Sequence, residues 1–473
     1  MSLTGLLWIC VFVGLSLASV KRPVYAVLGH LMVFYASPVF WWFGGGLLTS
    51  LTMRWSLVAV LVLAVANLLG FKSRPRLDKP SRVFMQLLLL VSVNAFFIHH
   101  FFADYPPESA KVFDILWKGC LTTALFYLSI RNLKDLELAI FAMVLGCGFV
   151  GYQIVLSGQG FSDGGRLEGI RFAGAQGSNG TAAVLSVGLV LAAYFVLTMK
   201  NKWFGFISLA LAPLILESLL RCNSRGSYLG LIASAIAIVV FARGPARKRA
   251  VGLCAIGVVA VLVMASDANI WARFESIFAS AEERDGSASE RLDYWRAALK
   301  MIADYPLGSG GEAAFTSPRG VGYIAHFREE FRSVHNGPLD IAAGWGIQGL
   351  VFMMLIIGKA CLLAWRTLHQ CIKDLNVDDA LIGTVLISAI AGQMVCSQFT
   401  SVLDGEWFLW LAACCFAYAR LMKASQLPET DLLGDDEEFD DENEPSFQST
   451  NPLGGEKPRP SGGFDPHDSA AVR

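Results

Sequence analysis

The stretch TAAVLSVGLVLAAYFVLTM, Thr181 to Met199, runs for 19 residues without a charge, and Lys200 and Lys202 follow at once. About 20 apolar residues in a row is the length a helix needs to cross the hydrocarbon core of a bilayer. Runs of this kind recur along the chain. Of its 473 residues 54% are hydrophobic and 16% are charged, and the mean hydropathy is +0.51. A soluble domain carries roughly a quarter charged residues. The pattern predicts an all-α polytopic integral membrane protein. The formal net charge of −1 says little, because the charges are segregated by loop.

Working outward from 181–199, thirteen candidate spans lie near 3–20, 24–42, 54–71, 83–102, 112–130, 136–157, 181–199, 203–220, 226–242, 250–267, 338–364, 380–401 and 405–422. The second is interrupted by Pro38 and by Gly44 to Gly46. The first lacks the basic start of a signal peptide and is followed directly by Lys21 and Arg22, so it reads as a permanent span. Orientation follows from lysine and arginine in short loops. Lys21/Arg22, Lys72 to Arg82, Arg131/Lys134, Lys200/Lys202, Arg243 to Arg249 and Arg366/Lys373 fall on alternate connections. Placing them in the cytoplasm puts the N-terminus outside and the C-terminus inside. The predicted organisation is therefore transmembrane helices 1–10 over 1–267, a large outward loop over 268–337, and helices 11–13 over 338–423. A disordered acidic cytoplasmic tail over 424–473 completes it.

Several chemistries lack their signatures. There is no GxxxxGK[ST] and no GxGxxG between a strand and a helix, and the outward loops hold no His/Asp/Glu cluster at ligand spacing. The ten cysteines form no CxxC site or disulfide framework. No metal or nucleotide cofactor is expected, and no nucleic acid is among the expected partners.

The outward loops are instead rich in arginine. Loop 268–337 carries Arg273, Arg284, Arg291, Arg296, Arg319, Arg328 and Arg332 against a single lysine, Lys300; loop 158–180 carries Arg166 and Arg171, and the turn 221–225 carries Arg221 and Arg225. The guanidinium fork matches phosphate oxygens bidentately and stays charged. A long loop also pairs such residues with its own acids, and that reading suits most of the seven. Arg225 differs, since its turn is too short to form a domain. It is either a phosphate ligand or an interfacial arginine that snorkels. Gly226 and Gly230 behind it give a small-xxx-small spacing that permits close helix contact. Asp114 with Lys118 and Glu217 with Arg221 are i,i+4 pairs near the outer ends of spans, facing either a cavity or each other. His99-His100 reads as interfacial.

Within the large loop, SASERLDYWRAALKMIADYPLGSGG reads as one amphipathic helix. Ser287 or Ser289 caps it, Leu292, Trp295, Leu299 and Ile302 form its apolar stripe, and Pro306-Leu307-Gly308 ends it. Arg291 falls in its first turn and Arg296 in its second. The glycine-rich turn 308–311 either presents N–H groups to an anion or simply reverses the chain. Next, in RSVHNGPLDIAAGWGIQGL (332–350), Asn336 is an N-cap and Pro338 suits a first turn. His335 then sits beside the positive end of a helix dipole. There it is either a group with chemistry to do or a piece of helix punctuation.

Four segments together resemble the O-antigen ligase and polymerase superfamily of bacterial envelope glycan enzymes: GRLEGIRFAGAQGSNGTAA (165–183), NSRGSYLGL (223–231), the SERLDYWRAAL…PLGSGG run (289–311) and HNGPLDIAAGWGIQGL (335–350). They span the middle half of the chain, which departs from the family in having Gly344 where an acidic residue is usual. The resemblance implies a GT-C-like protein with about 12–13 transmembrane helices and one large helical periplasmic loop. It implies metal- and ATP-independent transfer of a glycan from undecaprenyl pyrophosphate to an acceptor hydroxyl on a lipid, a protein or a glycan, at the periplasmic face of the inner membrane. By motif match Arg225 and Arg291 bind the pyrophosphate and His335 acts at the acceptor, with Arg171, Arg221, Lys118 and Arg296 as further binding candidates. The residue chemistry agrees: arginines supply positive charge where a leaving group develops negative charge, and histidine titrates near 6.5. A polymerase of lipid-linked glycans would use the same donor. A small-anion transporter would also want arginines in a polytopic frame, but with charges at mid-membrane and broken helices related by a repeat.

Overall fold

Inside a bilayer every backbone N–H and C=O must be bonded within the chain, and the helix is the one local solution for an apolar run. The computed structural model describes residues 2–45, 54–70, 77–163, 165–173, 175–264, 286–311, 315–326 and 333–425. The expected tail beyond 425, and Arg273, Arg284, Arg328 and Arg332 of the large loop, lie outside the described residues. Each of the thirteen apolar runs contains a helix, though the second stops short of Pro38: α1 (Leu3–Ser19), α2 (Val24–Ala36), α3 (Trp55–Leu69), α4 (Lys79–Phe101), α5 (Pro106–Ser129), α6 (Leu133–Val155), α7 (Gly177–Thr198), α8 (Lys202–Cys222), α9 (Arg225–Phe241), α10 (Gly244–Met264), α13 (Gly337–Lys373), α14 (Val377–Ser397) and α15 (Glu406–Ala424). The loop between α10 and α13 adds α11 (Gly286–Asp304) and α12 (Pro318–Ile324). Among the described residues seven helices, α4 to α8 with α13 and α14, are long and apolar enough to cross a membrane, and α1, α2, α3 and α9 are shorter apolar helices of 10–17 residues.

Side-chain exposure fits a membrane setting. Leu89, Phe97 and Phe101 of α4 and Val240 of α9 lie open on the surface, where water would penalise them and lipid does not. Helices α7 and α14 are almost wholly enclosed by their neighbours. Gln393 of α14 stitches this centre, donating to Ala183 O at 2.9 Å and to Ser186 Oγ at 3.0 Å, and accepting from Trp407 Nε1 at 3.3 Å. The expected close approach of α9 is real. A Cβ on Gly226 would lie 2.8 Å from Phe399 Cβ, and one on Gly230 would lie 2.6 Å from Gly392 O.

Three features depart from the sequence reading. The connection 158–180 contains two antiparallel hairpins, β1 (Phe161–Asp163) with β2 (Arg166–Glu168) and β3 (Arg171–Phe172) with β4 (Ala175–Gln176). Helix α11 buries only part of the expected stripe: Trp295 and Ile302 pack partly buried, but Leu292 and Leu299 are exposed, and Tyr294, Ala297, Ala298 and Met301 form the inner face with Phe315, Ile324 and Val334. Two alanines allow α11 to dock closely, and contact area with α13 wins over the larger side chains one position away. Finally, α13 is not continuous. Gly346, at φ +80° and ψ 168°, breaks it after its first two turns.

The break is closed by the turn that follows α11. Ser309 N donates to Ala343 O and Gly344 O, both at 3.1 Å, and Gly310 N donates to Gly344 O at 3.0 Å. Asn94 Nδ2 takes Trp345 O at 2.8 Å, and Ile347 N returns a bond to Pro306 O at 3.0 Å. Carbonyls released by the break are thereby satisfied, as a buried backbone requires. The glycine-rich turn 308–311 is a strap across a broken helix.

Candidate functional site

Four local structures converge on one space. The first is the start of α13. Asn336 caps it, its Oδ1 accepting from Leu339 N at 3.1 Å, while its Nδ2 donates to Gln398 O at 3.3 Å. Pro338 occupies the first turn. The chain reaches this cap through His335, whose φ of +54° lies in the left-handed region, where a histidine is tolerated better than most side chains. Ser333 Oγ holds that conformation by accepting from His335 N at 3.1 Å, and it also bonds Ser401 Oγ at 2.9 Å.

The second is the turn between α8 and α9. Asn223 ends α8 in a left-handed conformation, at φ +49°. Its Nδ2 donates to Gly165 O at 3.1 Å, and Tyr228 Oη donates to Leu220 O at 2.9 Å. Tied down on both sides and backed by Gly226 against α14, the turn leaves Arg225 as the first residue of α9.

The third is the β1–β2 hairpin. Strand alternation places Arg166 and Glu168 on one side of β2, facing the start of α7. Arg166 Nη2 donates to Asn179 Oδ1 at 2.8 Å, and Ser178 Oγ donates to Glu168 Oε1 at 2.5 Å. The fourth is α11, where Glu290 and Arg291 precede the buried Tyr294 by about one turn.

Together they enclose a cavity of about 270 Å³. Among the described residues its wall carries three arginines, Arg166, Arg225 and Arg291, together with His335 and a single carboxylate, Glu290. Asn179, Asn223, Ser224 and Tyr294 add polar groups, and Phe399 adds an apolar face. Helices α7, α9 and α13 all start at this wall, and α11 reaches it with its second turn. A helix start is the positive end of its dipole and presents N–H groups without intrahelical partners. Guanidiniums and several helix starts around one space make an anion site. Two of the four non-glycine residues with positive φ among the described residues, Asn223 and His335, also face it. Backbone held in such conformations is stored strain, which clusters at functional sites.

The other expected binding residues do not reach the cavity. Arg221 pairs with Glu217 at 2.8 Å, Lys118 pairs with Asp114, and Arg296 pairs with Asp293 at 3.2 Å. The two i,i+4 pairs near helix ends have therefore chosen each other. Arg171 is exposed on β3, so of the two arginines in this loop Arg166 faces the cavity. His99 and His100 make local bonds, to Ser109 Oγ at 3.0 Å and to Phe96 O at 2.9 Å. Sequence reasoning passed over Arg166, Glu290, Asn179 and Tyr294 as site residues. The pairing of β1 with β2 is what separates Arg166 from Arg171.

Fold and cavity define a class: a polytopic helical membrane protein that gathers arginines, a histidine and helix starts around one anion-accepting space. Residues 214–354 match a family described as O-Antigen ligase. That segment, under a third of the chain, is similar to the O-antigen ligase family and agrees with the resemblance carried by the sequence motifs. Residues 3–191 match a family of unknown function. The cavity draws on both matched segments, with Arg225, Arg291 and His335 from one and Arg166 and Asn179 from the other. No curated protein matches the chain.

Proposed function

We propose that this protein transfers a glycan from undecaprenyl pyrophosphate to an acceptor hydroxyl at the periplasmic face of the inner membrane, as an O-antigen ligase-like glycosyltransferase. The observation that carries the reading is the meeting of Arg166, Arg225, Arg291 and His335 in one cavity where helices start. In this reading the arginines and helix starts hold the pyrophosphate and stabilise the charge that develops as it leaves. The acceptor O–H reaches the anomeric carbon from the side of His335, which takes the proton. The strained backbone at His335 and the cap at Asn336 fix the imidazole relative to the phosphates, so reactants meet in a defined geometry.

A ligase and a polymerase share this donor chemistry and differ in the acceptor. A small-anion transporter reading gains little from the break in α13, because an anion would need free N–H groups there and Ile347 N is already given to Pro306 O at 3.0 Å. The test is reconstitution. Purified protein, given undecaprenyl-pyrophosphate glycan and lipid, protein or glycan acceptors, should transfer glycan to one of them without ATP and in EDTA. No transfer to any acceptor, or a strict need for a divalent cation, would overturn the proposal.

A further inference from the structure

We infer that Glu290 limits how tightly the cavity holds its pyrophosphate, so that the spent lipid carrier can leave. The inference rests on the reading above that the cavity takes a lipid-linked pyrophosphate. Among the described residues, Glu290 is the one carboxylate on a wall that carries Arg166, Arg225 and Arg291. An acid at an anion site opposes binding, because like charges brought together at an interface repel. A site serving grip alone would not place one there. Nor does Glu290 stand there by accident of a loose loop: Tyr294, one turn further along α11, is buried and holds this face of the helix against the cavity.

The chemistry of turnover gives the carboxylate a purpose. In the donor each phosphate carries one ester and shares the anhydride oxygen, and each has one negative charge. On transfer the acceptor oxygen forms a bond to the anomeric carbon and gives its proton to His335. The bond from that carbon to the outer phosphate oxygen breaks, and its electron pair stays on the phosphate. The product therefore ends in a phosphate joined only through the anhydride oxygen, which carries up to one more negative charge near neutral pH. Three arginines would hold this product more tightly than the donor, and catalysis would stall after one turnover. Glu290 faces the same space and subtracts from that gain, and the penalty falls hardest on the ligand with the extra charge. Specificity here is a difference between two affinities, and release of product commonly limits turnover.

The experiment measures the inhibition constant of undecaprenyl pyrophosphate and the dissociation constant of the undecaprenyl-pyrophosphate glycan on membrane-inserted protein. Glu290→Gln and Glu290→Ala should each lower the first relative to the second by about tenfold, the effect of relieving a partly solvated like-charge contact. The first turnover should then outrun later ones and give a burst. Glu290→Asp keeps the charge and should keep the wild-type ratio. Parallel changes in both affinities, or weaker product binding in a neutral variant that inserts normally, would overturn the inference while leaving the cavity's ligand class intact. If wild-type protein binds neither lipid, the reading of the cavity itself fails.

Discussion

Arg166 Nη2 donates to Asn179 Oδ1 at 2.8 Å, which ties the second strand of a hairpin to the first turn of α7 at the cavity wall. The amide orients a guanidinium that would otherwise be free to swing away from the cavity. Removing the charge and removing only its holder should therefore differ. Arg166→Ala is expected to raise the donor KM at least tenfold, since hydrogen bonds to charged groups contribute about 1.5–3 kcal/mol. Asn179→Ala should cost less, through misplacement of Arg166. Equal donor KM values in wild type and Arg166→Ala, measured in the transfer assay, would remove Arg166 from the site.

The strap across the break in α13 makes a stability prediction. A Cβ on Gly346 would lie 2.3 Å from Leu307 O, and one on Gly308 would lie 2.5 Å from Gly346 N, both at positive φ. Gly346→Ala and Gly308→Ala should each destabilise by about 1–3 kcal/mol through strain, read as a lowered thermal midpoint in detergent. Gly322, a helical glycine with nothing within 4 Å, is the control. Gly322→Ala should leave the midpoint unchanged or raise it slightly.

Much of the fold was legible in the sequence, and the reason is physical. Runs such as 181–199 can satisfy their backbone only as helices, and Asn336-Pro338 carries its capping chemistry in three letters. The rest depended on distant partners. GWGIQGL reads as an unbroken apolar helix because nothing local shows that Pro306 to Gly310 will supply the bonds that make a break affordable. Alternation within a hairpin of three-residue strands is too short a signal to say that Arg166 rather than Arg171 faces the cavity. The docking face of α11 was only half legible, through Trp295 and Ile302, because Ala297 and Ala298 look bland, yet small residues are what close contact with α13 requires. Arg225, Arg291 and His335 stood out because their segments resemble one family, and the cavity now brings them side by side.

The close packing of α9 on α14 supports Arg225 from behind. Gly230→Ile would drive a side chain into Gly392 O, 2.6 Å from the ideal Cβ. Overpacking of this kind costs typically 1–3 kcal/mol, and here it also shifts the helix whose first residue faces the cavity. Transfer should fall by more than the loss of inserted protein explains. A variant with full activity per inserted molecule would show that Arg225 does not depend on this contact.

Alternating lysine and arginine clusters predict that residues 268–337 and the C-terminus lie on opposite sides of the membrane. Reporter fusions after Ala268 and after Lys423 should report opposite compartments, with the first outside. The same compartment for both would contradict the orientation, and the cavity could then no longer meet a periplasmic acceptor.

His335 invites the sharpest test, because its backbone conformation decides which substitution is informative. At φ +54° an alanine would add strain of its own, and lost activity would then be ambiguous. Asparagine tolerates the left-handed region well, so His335→Asn changes the side chain while sparing the backbone bond from His335 N to Ser333 Oγ. If His335 only leads the chain into the cap at Asn336, this variant should insert, melt and transfer like wild type. If it takes the acceptor proton, insertion and melting should be unchanged while transfer falls by on the order of 10²–10⁴-fold, the usual contribution of general base catalysis. His326 is exposed and away from the cavity wall, so His326→Asn should be silent in the same assay. Arg225→Lys and Arg291→Lys complete the comparison: they keep the charge and lose the fork, and should impair donor binding where His335→Asn does not. Near-normal transfer by His335→Asn, per molecule of inserted protein, would leave the arginines as the site and His335 as part of its frame.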